Sequence, residues 1–183
     1  DLYVSLHKHE FHSQIAHFNV AWNRAYSGIN SCNKLLDDPK IQEDEKTSSQ
    51  LRAYRAMYYY LLFDLFRNVP IDTQFAHEEG WLPEQASTQE MWDFLISELN
   101  DIKGKCGNDN IMGKINNYAV NMMLAKLYLN HNAYFRGANE LSYDDSDKSW
   151  YGKCIDELNE IINSGVYSLS NNYLDNFKED IST

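Results

Sequence analysis

Apolar side chains recur along much of this chain at alternating steps of three and four residues, which is the spacing of one face of an α-helix. The first such stripe predicts a long helix over about residues 15–36, and the Asp-Asp-Pro sequence that follows is a helix stop signal. The members of this stripe are Ile15, Phe18, Trp22, Ala25, Ile29, Cys32 and Leu36.

Four further stripes predict four further helices. One contains the run from Tyr58 to Phe63, which is apolar or aromatic on every side and is therefore expected to lie between neighbouring elements. Another begins with Ser87 and Glu90 at the spacing of a capping box. Gly165 stands where the last helix needs a C-cap. The predicted helices cover about residues 43–68, 87–103, 114–130 and 149–164, with a loop at 71–86.

Five main helices joined by loops predict an all-α fold built from antiparallel helix pairs. Alanines beside large aromatic residues in the second and fourth helices suit the close approach seen in helical-hairpin repeats. The fifth helix has no partner left in this pattern. We therefore predict that residues 1–183 form a single helical segment of a larger domain that continues beyond Thr183.

Charge and composition exclude some functions. The chain has 183 residues and a formal net charge of −11, and no Lys/Arg-rich run occurs. Binding to nucleic acid or to an anionic membrane surface is therefore not expected, because phosphate contacts need clustered positive charge. Aromatic residues make up 14% of the chain. They can serve either a core or a stacking surface, and composition does not decide between the two.

The candidate metal and redox residues do not form recognisable motifs. The three cysteines lack any CxxC spacing, and Cys32, on the first apolar stripe, is expected to be a buried thiol. The one His-rich cluster precedes the first long helix, where ligands are not held in place, and is interpreted as solvated surface. It consists of His7, His9, Glu10 and His12.

Carboxylates give no clear catalytic or calcium site either. The stretch from Asp144 to Asp147 lacks the glycine and the distal glutamate of an EF-hand loop and is interpreted as an acidic loop. Asp156 and Glu160, one helical turn apart, are typical of a solvated face. Without a nucleophile, P-loop or dinucleotide motif, the sequence predicts no enzyme, no catalytic residue, no metal site and no cofactor.

Five segments, taken in order, resemble motifs of the SusD/RagB family. The segment 54–70 is similar to "LRAxxYxxLxxLFGxxP", 26–33 to "YxxIxxxN", and 87–102 to "TQEEVYDFIxxELNEA". The segments 113–130 and 161–169 are similar to "GRATKxAAxALLAKVYLN" and "VINSGKYxL". The chain departs from these motifs in having Arg67 where the family usually has glycine, and Tyr54 where leucine is usual.

The resemblance implies tetratricopeptide-like helix pairs and a role in nutrient uptake. Members are surface lipoproteins of the Bacteroidetes outer membrane that capture oligosaccharides and deliver them to a SusC-like TonB-dependent transporter. The lipid anchor would lie outside this chain. The aromatic glycan shelf of the family would also fall outside residues 1–183, so the resemblance assigns no ligand-binding residue. It does not assign Glu179 and Asp180 to a calcium site either.

A helical pattern of this kind also occurs in two other classes of protein. A cytosolic helical-repeat scaffold that binds peptides in a groove is the alternative, and it would use clamp residues of the kind found at Asn116, Asn117 and Asn121. A helical-bundle enzyme would need a carboxylate and histidine constellation, which the sequence does not contain.

Overall fold

The computed structural model describes residues 3–13, 15–136 and 149–177, and within these ranges the chain is helical with no strand. The all-α prediction is confirmed. The helices are α1 (Val4–His7), α2 (Ala16–Leu36), α3 (Pro39–Glu43), α4 (Glu45–Phe66), α5 (Thr88–Ile102), α6 (Asn117–Leu129), α7 (His131–Phe135) and α8 (Ser149–Asn163), followed by a short 3-10 helix (Tyr173–Phe177).

Side-chain caps explain where several helices begin. Ser87 and Glu90 form the predicted capping box at the start of α5. The helix predicted from residue 43 instead starts at Glu45, because the Asp44 side chain accepts a hydrogen bond from the Thr47 N–H at 3.1 Å. Similarly, Asn116 accepts from the Ala119 N–H at 3.0 Å, so α6 starts three residues later than predicted.

Helices α2 and α4 pack against each other in opposite directions. Phe18 and Trp22, near the start of α2, contact the ring of Phe66 at the end of α4. Near the other end of α2, Asn33 accepts a hydrogen bond from Arg55 of α4 at 2.9 Å. These contacts confirm the antiparallel pair predicted from the first two stripes.

The antiparallel order continues into α5. Tyr59 of α4 meets Phe94 of α5 edge-on, with ring centroids 5.2 Å apart. Arg52, earlier in α4, binds Asp101, later in α5. The segment from Tyr58 to Phe63 therefore lies between α2 and α5, as predicted, and its Tyr59, Leu62 and Phe63 side chains are fully buried.

Helix α8 has a partner, contrary to the prediction from the sequence pattern. It packs antiparallel on α6, where Asn121 donates to Glu157 at 2.8 Å and Tyr128 stacks on Trp150 at 5.9 Å. The prediction failed because it left the fifth helix over once the other four were paired, whereas α6 packs chiefly on α8, whose Trp150, Cys154 and Leu158 join the core. Two apolar residues of α8, Ile155 and Ile162, are nevertheless exposed.

Close packing and a strained turn mark the α2–α4 pair. At Gly28 of α2, an added Cβ would overlap the ring of Tyr58, so glycine permits the approach of the two helices.

At the end of α4, Arg67 has φ +65° and ψ −82°, and the Asn68 N–H donates to the Phe66 carbonyl at 2.9 Å. This is a γ-turn with positive φ, which explains why glycine suits this position.

Candidate functional site

The residues weighed for chemistry in the sequence do not come together in one site. His9 stacks on Phe11 in the segment before α2, and in the described part of the chain no three His, Cys, Asp or Glu residues form a metal-binding group. Asp156 is exposed, and Glu160 pairs with Lys103 at 2.8 Å. The stretch from Asp144 to Asp147 lies outside the described residues, as do Glu179 and Asp180.

The three cysteines lie buried in the structure. Cys32, Cys106 and Cys154 are all buried and unpaired, which confirms the prediction for Cys32. Burial raises the pKa of Cys106 to about 11 and also raises the pKa of Cys32 and Cys154. Thiols with raised pKa values carry little thiolate at neutral pH and are poor nucleophiles.

The loop between α4 and α5 is the most elaborate surface feature of the described structure. We call residues 67–87 the α4–α5 loop. Its two ends are tied together, because the Ala86 N–H donates to the Val69 carbonyl at 3.2 Å and the Asn68 side chain donates to the Ala86 carbonyl at 3.1 Å. Gln85 donates to the Asn68 carbonyl at 2.7 Å. The loop is therefore closed at its base.

The first half of the α4–α5 loop is anchored to the buried core through Asp72. The Tyr59 hydroxyl donates to the Asp72 carbonyl and accepts from the Asp72 N–H, both at 2.7 Å. Burial raises the pKa of Tyr59 to about 12, so the hydroxyl keeps its proton and can donate. Asn33 also donates to the Asp72 carbonyl, at 3.0 Å.

Charged side chains support the same half of the loop from below. Arg55 donates to Glu98 at 2.7 Å, to Asn33 at 2.9 Å and to the Thr73 carbonyl at 3.3 Å. Burial alone would raise the pKa of Glu98, but hydrogen bonds from Arg52 and Arg55 outweigh it and lower the pKa. The ion pair is thus charged at neutral pH and fixes three elements relative to one another.

The tip of the loop carries a supported tryptophan. His77 Nε2 lies 2.8 Å from a carboxylate oxygen of Asp72, and the His77 ring stacks on Trp81 with centroids 3.5 Å apart and planes 3° from parallel. The backbone N–H of Trp81 donates to the Glu78 carbonyl at 3.1 Å and closes a tight turn in which Gly80 has φ +86°. Trp81 is still 43% exposed.

A pocket of about 430 Å³ opens beside Trp81. Its wall combines one aromatic ring, apolar groups, carboxylates and an amide, a set of groups that suits a polar ligand with apolar faces. The lining residues are Ile71, Trp81, Leu82, Pro83, Glu84, Gln85, Ala86 and Glu90.

A second pocket, of about 450 Å³, lies where the end of α5 meets α6 and α8. Lys103, Asn121 and Glu160 in its wall are already paired with one another or with Glu157. These pairs hold α5, α6 and α8 together, so the polar side chains of this pocket already have partners within the fold.

Sequence reasoning identified residues 71–86 as a loop but did not single out Trp81. Nothing in the local sequence distinguishes an exposed tryptophan from a core one. The contacts that support Trp81, with His77 and through it with Asp72, exist only in the folded loop.

Among the described residues, no helix is both long enough and apolar enough to span a bilayer. No protein-family model and no curated protein matches the chain.

Solved structures do match the chain, although each is less than 25% identical to it. A SusD superfamily protein from Parabacteroides distasonis is 24% identical with a TM-score of 0.78, over 94% of this chain and 37% of that one. The fold is that of SusD-like proteins. A laminarin-binding SusD-like protein is 24% identical, with a TM-score of 0.65 over 86% of this chain and 33% of that one.

A third match was solved with a sugar bound. Surface glycan-binding protein A from Bacteroides thetaiotaomicron, in complex with laminarihexaose, is 22% identical with a TM-score of 0.63, over 87% of this chain and 32% of that one. This chain thus spans about a third of the length of the SusD-like structures that it matches.

Proposed function

We propose that this chain is the N-terminal helical part of a longer SusD-like protein that binds oligosaccharides at the bacterial cell surface. The observation that carries the proposal is the shared fold, since solved glycan-binding SusD-like proteins contain the same helical arrangement. The order of five family-like motifs from residue 26 to residue 169 supports it independently. In this proposal residues 1–183 are one segment of a larger domain.

The proposed role is capture and delivery without catalysis. A lipid anchor outside this chain would hold the protein on the outer membrane of a Bacteroidetes cell. The protein would pass its oligosaccharide to a SusC-like TonB-dependent transporter, for which it acts as a lid. No bond is made or broken in this process, so no catalytic residue is needed.

Sugar binding of this kind depends on many modest contacts. Aromatic faces cover the apolar C–H patches of a sugar ring, while amides, carboxylates and guanidinium groups exchange hydrogen bonds with its hydroxyls. Each contact contributes roughly 1 kcal/mol, so the shape of the whole site sets specificity.

The test uses the full-length natural protein and two measurements. Isothermal titration against a panel of neutral oligosaccharides, including laminarihexaose and a xylogluco-oligosaccharide, is expected to show saturable binding to at least one member. Affinity purification from outer membranes is expected to recover a TonB-dependent transporter. Saturable glycan binding without the transporter would remove the delivery role only.

Absence of binding to every glycan would overturn the proposal. In that case, saturable binding of an extended peptide would instead favour the helical-repeat scaffold. Heat-denatured protein is the matched control, because it retains the composition of the chain but not the fold.

A further inference from the structure

We propose that the α4–α5 loop provides a carbohydrate contact of its own, in which Trp81 stacks on a neutral or amino-sugar ring. This inference rests on the proposed function and names residues that would carry part of it. It places a glycan contact inside residues 1–183, where the family resemblance assigns none.

The first argument is that Trp81 is supported as a surface residue rather than buried as a core residue. His77 covers one face of the indole at 3.5 Å, yet 43% of Trp81 remains exposed. His77 is held by Asp72, and the backbone of Asp72 is held by the buried Tyr59 hydroxyl. A continuous series of contacts therefore connects the exposed ring with the core.

Such support matters for binding because it reduces the entropy lost on complex formation. A side chain that is already held in its binding conformation loses less freedom when a ligand stacks on it. The closed base of the loop and the turn at Gly80 restrain the backbone in the same way. The loop thus presents a preorganised aromatic face to the pocket.

The second argument concerns the chemistry of the pocket wall. Its volume of about 430 Å³ lies within the range of roughly 300–1,000 Å³ that is usual for small-molecule sites. Trp81 and Leu82 supply apolar surface, and Glu84 supplies carboxylate oxygens that accept hydrogen bonds from hydroxyls. Gln85 and Glu90 already bind Asn68 and Ser87 through one polar atom each, and the remaining side-chain oxygen of each is the one that can accept from a ligand. The aromatic face can cover the apolar C–H patch of a sugar ring, while the acceptors beside it can bind the hydroxyls of the ring.

Charge selects among sugars. Glu84 and Glu90 line the pocket, Glu78 and Glu79 lie in the adjoining turn, and the chain as a whole carries a net charge of −11. A uronate or sulfated sugar would meet like charge at close range, whereas a neutral sugar or a protonated amino sugar would not. The pocket is therefore expected to discriminate against anionic glycans.

The experiment compares four variants of the full-length natural protein. Affinity for the tightest-binding neutral member of the panel, with laminarihexaose as the first probe, is measured by titration calorimetry. Trp81→Ala is expected to weaken binding by roughly three- to tenfold, the effect of losing one aromatic contact. Trp81→Phe retains an aromatic face and should recover most of the affinity. His77→Ala removes the support and should give an intermediate value.

Phe75→Ala is the matched control. Phe75 lies in the same loop and is 40% exposed, close to the exposure of Trp81, but it does not line the pocket beside Trp81. Its truncation is expected to leave affinity unchanged. An oligogalacturonate of the same length should bind more weakly to the wild type than the neutral probe does.

The possible outcomes separate this inference from the proposed function. If the wild type binds a glycan and Trp81→Ala binds it equally well, the contact at Trp81 is overturned and the proposed function stands. If no glycan binds, both are overturned. If Trp81→Ala and Trp81→Phe weaken binding equally, and both lower the unfolding temperature by several degrees more than Phe75→Ala does, Trp81 packs against another part of the protein and the inference is wrong.

Discussion

Within the part of the chain that the structure describes, two of the polar networks that join helices differ in how far water reaches them. Arg55 and Glu98 link α4 to α5 with side chains that are only 8% and 12% exposed. Lys103 and Glu160 link the end of α5 to α8 with side chains that are 26% and 54% exposed. The first network lies within the α2–α4–α5 unit, and the second lies at the rim of the α6–α8 pair.

The difference shows which contacts the rest of the structure depends on. A buried ion pair that also binds a loop carbonyl cannot lose one member without leaving a charge or a polar atom unsatisfied. A half-exposed pair can exchange its partner for water at little cost. The α4–α5 loop is attached to the buried network, so we expect the loop to be as stable as the core beneath it.

Among the polar contacts, the largest expected effect is that of Arg55→Ala. This change leaves Glu98 with Arg52 as its remaining partner and removes the Arg55 donor from Asn33 Oδ1 and from the Thr73 carbonyl. We expect the free energy of unfolding to fall by about 3 kcal/mol, measured by urea denaturation. Glu160→Ala, the control from the second network, removes only the exposed partner of Lys103 and leaves its pair with Glu157, so it should cost about 1 kcal/mol or less. Equal losses for the two variants would contradict the comparison.

Acid should weaken the two networks to different extents. The pKa of Glu98 in the folded chain lies below its ordinary value of 4.5. Its contribution to stability is therefore fully present above pH 4.5 and is lost as the pH falls through the lowered pKa. The pKa of Glu160 is also lowered, chiefly by its hydrogen bond from Lys103, but this side chain is more exposed.

The measurement is the urea midpoint of wild type, Glu98→Gln and Glu160→Gln between about pH 3 and pH 7. Glu98→Gln is expected to lose roughly 2 kcal/mol at neutral pH and to flatten the acid limb of the profile. Glu160→Gln should change the profile less, because solvent screens its pair. A steeper acid limb in Glu98→Gln would show that the sign of the shift is wrong.

The positive φ of Arg67, in the turn after α4, allows a test of backbone strain. Arg67→Gly and Arg67→Ala both remove the guanidinium, which lies over the rings of Phe63 and Tyr134 at 5.2 and 4.5 Å. Only glycine adopts positive φ without steric cost, so the Gly variant should be more stable than the Ala variant by about 1 kcal/mol. Thermal unfolding of the two variants tests this, and equal stability would mean that the turn changes shape.

The smallest expected effect belongs to the outer face of α8. Ile162 is 68% exposed, so Ile162→Ser should change the stability of this chain by no more than about 0.5 kcal/mol. Leu62→Ala in α4, where the side chain is fully buried, should cost about 2 to 5 kcal/mol and serves as the contrast. A large loss from Ile162→Ser would show that α8 packs more tightly than its exposure indicates.

Much of the fold follows from the amino-acid pattern. The apolar stripes predict the five main helices, and Ser87 and Glu90 mark a helix start that the structure confirms. Two boundaries differ by a few residues, since Asp44 and Asn116 bind backbone N–H groups that the stripes do not take into account. Helices α1, α3 and α7 were missed, because four or five residues are too few to show a period.

The candidate site was hardly predictable. The sequence does not distinguish an exposed tryptophan from a buried one, and the position of Trp81 depends on how the loop residues His77 and Asp72 pack on Tyr59 of α4. The predictions of a lipid anchor, of a transporter partner and of a domain continuing beyond Thr183 remain predictions.

The sequence by itself determined the all-α class, the approximate helices, the likeness to one family and the improbability of nucleic-acid binding. These properties depend on local periodicity, on motif order and on total charge, each of which can be read along the chain. Only the tertiary structure decided that α8 packs on α6, that Arg55 and Glu98 are buried together, and that Trp81 is supported at the surface. Such properties depend on which residues come together in the fold and on how far water reaches them. Neither can be read from the order of the residues.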